Sequence, residues 1–394
     1  MKSSSTEDLK RLRTDHIGSL VRPAKLREAF TGYDRKRLSN EELRRAQDEA
    51  IREVIAGQEA HGLRVVTDGE FRRHSFQESF SEAVSGFDVA QDIGVYYEQR
   101  QLNQNPLERA EQNFDEKGPA IITRRPAVER LKLIRNVPLE EFRFAQSVAK
   151  KPVKVTLIGP DRIAQRFKWE SSKSIYKDLD AFVDDVVAIE RQMIKELVEA
   201  GCKYIQIDAP GYTAYVDQVS LDRMRTRGED PERDLQRSID ADNALVEAFP
   251  DVTFGIHICR GNARTIDPQT GKLVPQWHRE GHYDAIAERL FNSFKHHRFL
   301  LEYDSDRSGS FEPLALVPKN KIVVLGLVTT KSSDLESMDE LKRRIDQASS
   351  YLPLEQLALS PQCGFGGIDS KMMSEDEMWR KFDRIVETAA QVWG

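Results

Sequence analysis

Apolar residues along the chain gather into eight short runs, each stopped by a polar or charged residue. The runs are 14–19 (TDHIGS), 64–70 (RVVTDGE), 153–160 (VKVTLIGP), 203–208 (KYIQID), 253–259 (TFGIHIC), 299–304 (FLLEYD), 322–329 (IVVLGLVT) and 357–362 (LALSPQ). Most of their middles are β-branched or apolar without strict alternation, the pattern of strands covered on both faces. The first is the thinnest, carried by Ile17 alone. Helical periodicity lies between most of the runs. In 178–200, Phe182, Val186, Ile189, Met193 and Leu197 recur at three- and four-residue spacing, and Gly201 supplies a stop. Similar patterns predict helices over 40–60, 232–248, 283–296, 338–349 and 374–392, two of them opening on acidic turns after Ser39 and Ser374.

Strand followed by helix, repeated eight times, predicts a parallel sheet with helical crossovers. Eight repeats suit a closed (β/α)8 TIM barrel better than an open doubly wound sheet. No glycine-rich phosphate loop follows the early strands, which argues against a nucleotide-binding sheet. Residues 85–150 break the repeat. They read as an excursion between the second and third strands, a hairpin with a helix at 138–149, inserted as a cap over one barrel end. We therefore expect one domain over residues 1–394.

Composition narrows the partners. With 59 Lys and Arg against 65 Asp and Glu, the net charge is -6, and no basic block stands out, which argues against nucleic acid. The polar N-terminus has no apolar signal core, and no run approaches the ~18 apolar residues of a membrane span. Three scattered cysteines, Cys202, Cys259 and Cys363, suit a reducing cytoplasm rather than a disulfide scaffold.

In a barrel of this kind the chemistry sits just past the carboxyl ends of the strands. Those ends supply His257, Cys259, Glu302 and Cys363. Taken singly, Cys259 reads as a small buried hydrophobe, His257 as a hydrogen-bonding residue and Glu302 as a salt-bridge partner. Taken together, one imidazole, two thiols and a carboxylate form the set a tetrahedral zinc ion collects. His257 and Cys259 are two apart on a strand and share a face. Zinc in an open site deprotonates a bound thiol, so the expected chemistry is transfer of an alkyl group to sulfur. Cys202 reads as core.

The H-x-C of 257–259, Glu302 and the SPQCGF of 360–365 resemble the catalytic domain of cobalamin-independent methionine synthase. DHIGSLVRP at 15–23, VVTDGEFRR at 65–73 and GCKYIQID at 201–208 resemble further motifs of that family. The likeness runs from Thr14 to about Gly367 and implies the barrel shared with uroporphyrinogen decarboxylase, in a single-barrel form. It implies that His257, Cys259, Glu302 and Cys363 are the zinc ligands. It also implies that Ile17, Gly18 and Ser19 hold the carboxylate of homocysteine, and that Glu70 and Asp208 take its ammonium. Two acidic groups facing a backbone-rich loop suit a zwitterion on their own account. The competing assignment for Glu70 and Asp208 is salt bridging with Arg22, Arg72 or Arg73.

Two departures from the family pattern bear on the methyl donor. Ile207-Asp208-Ala209-Pro210 stands where many members read I-D-E-P, and Thr329-Thr330-Lys331-Ser332 stands where methionine synthases carry a His in an H-S-P segment. Lys331 is the residue left to act as the acid, although an ordinary lysine, with a pKa of about 10.4, holds its proton at neutral pH. The expected reaction is methyl transfer to homocysteine from methyl-folate or a methylcorrinoid. The alternative is a zinc thiol S-alkyltransferase of the epoxyalkane:coenzyme M transferase type, with Arg260, Arg72 and Arg73 clamping a sulfonate. A zinc hydrolase and a non-catalytic metal-binding barrel are further classes, the second requiring a broken ligand set. Trp277-His278-Arg279-Glu280 reads as donor pocket or surface turn.

Overall fold

A computed structural model describes residues 6–74, 76, 79–88, 114–115, 118–119, 126–165, 167, 169–262, 264–266, 273–275, 279–366 and 373–394. Its centre is a six-stranded parallel sheet made of β1 (Lys154–Ile158), β2 (Tyr204–Asp208), β3 (Thr253–Ile258), β4 (Arg298–Glu302), β5 (Ile322–Val328) and β6 (Leu357–Pro361), paired in that order. These strands fall on the last six of the eight apolar runs. The register sets Asp208 beside His257, His257 beside Leu300 and Glu302 beside Gly326, so the polar strand ends lie at one edge of the sheet.

The first two expected strands form no ladder among the described residues. Each touches the sheet through a single parallel bridge, Thr14 with Leu359 and Val66 with Val153. The physical reason is short apolar content: one run has Ile17 alone, the other Val65 and Val66. The two segments are nevertheless tied to each other. Thr67 Oγ1 donates to Gly18 O at 2.7 Å, Leu20 N to Gly69 O at 3.2 Å, and His16 Nε2 lies 3.2 Å from Val65 O. A closed barrel is therefore not shown; an α/β fold with a parallel sheet is.

Alternate residues separate the two faces of the sheet. Val155, Leu157, Ile205, Ile207, Phe254, Ile256, Phe299, Leu301, Val323, Leu325, Leu357 and Leu359 enter the main hydrophobic core with the helices. Burying each such side chain is worth about 1.5–3 kcal/mol. The opposite face is divided. Ile17, Leu300, Val324 and Ala358 form a small apolar cluster, while Lys154, Tyr204, Gln206, Arg298 and Asp15 form a polar one.

Helices bear out the periodicity to within about a turn, at Asn40–Ala60, Val137–Val148, Leu179–Glu199, Pro231–Glu247, Asp284–Ser293, Met338–Ser349 and Glu375–Trp393. Capping boxes at Ser39/Glu42 and Ser374/Glu377 fix two of the starts. Where a hairpin was expected, Val84–Phe87 pairs antiparallel with Ala127–Leu133. Most of the rest of 85–150 ahead of Pro126 lies outside the described residues, as do Trp277 and His278.

Candidate metal centre and thiol site

Ligand atoms of His257, Cys259 and Cys363 lie within 4.8 Å of one another. The two sulfurs are 3.7 Å apart although their residues come from the ends of β3 and β6. The imidazole is oriented by its Nδ1, 3.2 Å from Leu300 O on β4, while His257 Nε2 is buried and has no hydrogen-bond partner. A nitrogen and two sulfurs at this spacing, with the outward ring nitrogen unpaired, fit zinc, and the carbonyl behind the ring is the usual orienting contact for a metal-binding histidine. The three groups also set one another's protonation, and without a metal they favour an imidazolium beside one thiolate and one thiol. The bond from the Cys363 thiol pulls the Cys259 pKa down, with His257 helping against burial. The same contact and burial push Cys363 up. For His257 burial works downward, but the Cys259 sulfur and Asp208 outweigh it and raise the pKa.

Glu302 lies outside that three-residue group. It is fully buried, and its Oε2 accepts from Arg260 N at 2.8 Å. Its Oε1 pairs with Arg307 and, at 3.1 Å, with Lys331. Burial opposes its charge, but Lys331 and Arg307 hold the carboxyl down at about 2. Lys331 Nζ also meets Asp304 Oδ1 at 2.9 Å and Oδ2 at 2.8 Å, so it donates to carboxylate oxygens of two residues. It stands as their counter-ion.

The residues expected to hold an amino acid converge beside this corner. A Cβ on Gly18 would lie 2.7 Å from Thr156 Cγ2 and 3.0 Å from Glu70 Oε1, and φ there is +142°, so only glycine lets the loop lie on the Glu70 carboxylate. Glu70 sits in the left-handed region at φ 59°, its N–H held by Asp68 Oδ1 at 2.9 Å and its Oε1 by Thr156 Oγ1 at 2.9 Å. Strain of this kind at a buried carboxylate marks a position the surroundings over-determine. Asp208 Oδ1 accepts from Gln206 Nε2 at 2.7 Å, and burial pushes its pKa up to about 7 against the pull of His257, with Glu70 adding to the rise. The 17–19 loop also touches the thiol corner. Phe365 N donates to Ser19 O at 2.9 Å, and a Cβ on Gly364 would stand 2.0 Å from Ser19 Oγ.

Of the arginines that compete for Glu70 and Asp208, or for a sulfonate, Arg73 is in ion-pair reach of Glu70, and all have other partners. Arg73 forks Glu141 and donates to Thr156, with Glu70 Oε1 3.8 Å away. Arg22 donates to the carbonyls of Glu70 and Arg73, Arg72 pairs with Asp48, and Arg260 reaches Gly281 O and Ser308. Cys202 is buried, as expected of a core residue.

Several residues of the site escaped the sequence reading. Tyr283 links two strand ends, its OH donating to Ile258 O at 2.8 Å and accepting from Glu302 N. Asn262 escaped it too, and forms an amide clasp with two residues the reading did place at strand ends, Thr330 and Gln362, across the loops after β3, β5 and β6. Gln206 and Lys154 lie beneath the mouth. A usable signal for Gln206 was available: Tyr204, Gln206 and Asp208 place a polar group at every second position of one strand, on the same face.

The chain belongs to the family described as cobalamin-independent synthase, catalytic domain, whose sequence model matches residues 12–266 and 301–390. It is 32% identical to the uncharacterized protein YxjG of Bacillus subtilis over 97% of this chain and 94% of that one. It is 26% identical to a methionine synthase of Sulfurisphaera tokodaii over 91% of this chain and 87% of that one. Among solved structures, a B12-independent methionine synthase from a Shewanella species, in complex with selenomethionine, superposes with a TM-score of 0.69 at 19% identity, covering 97% of both chains. At that identity the likeness is one of fold. No helix among the described residues is long and apolar enough to cross a membrane.

Proposed function

We propose that this protein is a zinc-dependent methyltransferase that methylates the thiol of homocysteine to form methionine, with methyl-folate or a methylcorrinoid as donor. The observation that carries the reading is the contact of the 17–19 loop with Gly364 and Phe365, next to Cys363. It puts groups suited to an amino acid against groups suited to a metal and a sulfur. His257, Cys259 and Cys363 would hold the zinc, with Glu302 as the fourth, exchangeable ligand once its pairs with Arg307 and Lys331 open. Bound zinc supplies the thiolate form of the substrate sulfur at neutral pH.

The chain's own residues do the rest. Glu70 and Asp208 take the ammonium, and the backbone of Ile17, Gly18 and Ser19 takes the carboxylate. Both hold the sulfur end toward Cys363. For Lys331 to act as the acid toward the donor's leaving group, its pairs with Glu302 and Asp304 must also open. The Thr14 and Val66 bridges, together with the contacts between their segments, support closure of the sheet into a (β/α)8 barrel, with 85–150 as its cap and 1–394 as one domain. The three free cysteines suit work in a reducing cytoplasm. The epoxyalkane:coenzyme M type of reaction loses ground because Arg72, Arg73 and Arg260 are already engaged, and Glu70 and Asp208 would repel a sulfonate.

The test offers homocysteine with methyl-folate, methylcobalamin or an epoxide in parallel, followed by mass spectrometry and metal analysis of the same sample. Methionine from one of the two methyl donors, with about one zinc per chain, is the expected result. An S-hydroxyalkyl product alone, or no methionine with either methyl donor, overturns the reading.

A further inference from the structure

Beneath the mouth a buried polar chain crosses the inner face of the sheet. Arg298 Nε reaches Asp15 Oδ2 at 3.1 Å, and Tyr204 OH donates to the same oxygen at 2.5 Å. Lys154 Nζ pairs with Asp15 Oδ1 at 2.7 Å and donates to Gln206 Oε1 at 2.8 Å. Gln206 then directs its amide nitrogen to two acceptors, Ile17 O at 2.6 Å and Asp208 Oδ1 at 2.7 Å. Gln206, like the side chains of Asp15, Lys154 and Arg298, is fully buried.

The amide can stand only one way round. An ammonium has no acceptor, so Lys154 requires Oε1, and a carbonyl and a carboxylate require the NH2 group. Flipping the amide would replace three attractive contacts by three repulsive ones. The charges agree: two cations, Lys154 and Arg298, face the single carboxylate of Asp15, and Gln206 passes the surplus on to Asp208. With its carbonyl turned down to Gln206, the trans Ile17–Gly18 peptide must turn the Gly18 N–H the opposite way.

We propose that Gln206 is a positioning residue that fixes the 17–19 loop and Asp208 as one unit, and so selects a thiol bearing an α-amino acid over a simple thiol. This rests on the functional reading above. It adds that discrimination between thiols is set from inside the sheet, by a side chain that need not touch the substrate.

The experiment measures binding of homocysteine and of 2-mercaptoethanol to the zinc-loaded enzyme by calorimetry, in wild type, Gln206→Leu and Gln206→Glu, with zinc content recorded for each. Gln206→Glu keeps the size of the side chain and the partner of Lys154, so it serves where the leucine variant does not fold. Both variants should lose affinity for homocysteine by at least ten times more than for 2-mercaptoethanol, with zinc retained. Equal loss for the two thiols, or no loss for homocysteine, overturns the role of Gln206 while leaving the functional reading in place. Wild type that does not bind homocysteine overturns both.

Discussion

On the β1–β2 side of the mouth, Gln206 donates to Ile17 O and Asp208, Thr156 donates to Glu70, and the Glu70 N–H is held by Asp68. On the β3–β6 side, His257 Nε2 has no hydrogen-bond partner, and the Cys259 and Cys363 sulfurs lie 3.7 Å apart. A buried polar atom left unpaired costs about 1–3 kcal/mol, so a fold keeps such atoms only where something else meets them. The first side is held mainly by the protein's own hydrogen bonds, with Asp68 Oδ2 left unpaired, and orients; the second is a donor set suited to a cation. In the proposed function, substrate discrimination and thiol activation are thus separable tasks on neighbouring strands of one sheet edge.

That separation can be broken from either side. The largest effect should come from His257→Ala, Cys259→Ala or Cys363→Ala, each lowering zinc affinity at least about a hundredfold, since the ~10–16 kcal/mol of a zinc site is shared among few ligands. Metal analysis after dialysis checks this, and wild-type zinc in the cysteine variants would remove the metal centre. Glu70→Ala should be smaller and of a different kind. It should weaken homocysteine by about ten- to a hundredfold, the worth of a charged hydrogen bond at ~1.5–3 kcal/mol, with zinc unchanged. If a simple alkyl thiol suffers equally, the ammonium assignment fails.

The smallest effect concerns a carboxyl buried away from both sides. Asp242 Oδ2 accepts from Tyr212 OH at 2.5 Å while Oδ1 has no partner, and burial pushes its pKa up to about 8. A carboxyl raised on folding gives stability that is whole below its ordinary pKa, near 4, and is lost as pH rises through about 8. Thermal unfolding followed from pH 6 to 9 should show a falling midpoint in wild type and a flatter course in Asp242→Asn, a difference of roughly a few degrees. A steeper fall in the variant would contradict the burial argument.

Much of this was legible in the chain. Strands buried on both faces stand out as apolar runs, and Ser39 and Ser374 mark helix starts because a hydroxyl three residues before a glutamate closes a capping box. The pairing of His257 with Cys259 follows from strand alternation alone. Contacts between residues far apart in sequence were not legible. Glu302 gives no sign that Arg307 and Lys331 will share one of its oxygens, and Arg73 gives none that it will fork Glu141 while standing 3.8 Å from Glu70. The first two runs join the sheet through single bridges, because a run of one or two apolar residues fixes a place beside the sheet but not a ladder.

The packing of Ser19 against Gly364 and Phe365 bears on how the protein is made. Synthesis delivers the amino-acid loop near the beginning of the described chain and the second cysteine near its end, after all six strands. Contacts so distant in sequence form late. A nascent chain halted after β5 would carry the imidazole and one sulfur yet lack the second sulfur and the seat of the 17–19 loop on Gly364 and Phe365. The working site can therefore arise only after the ribosome has passed Phe365.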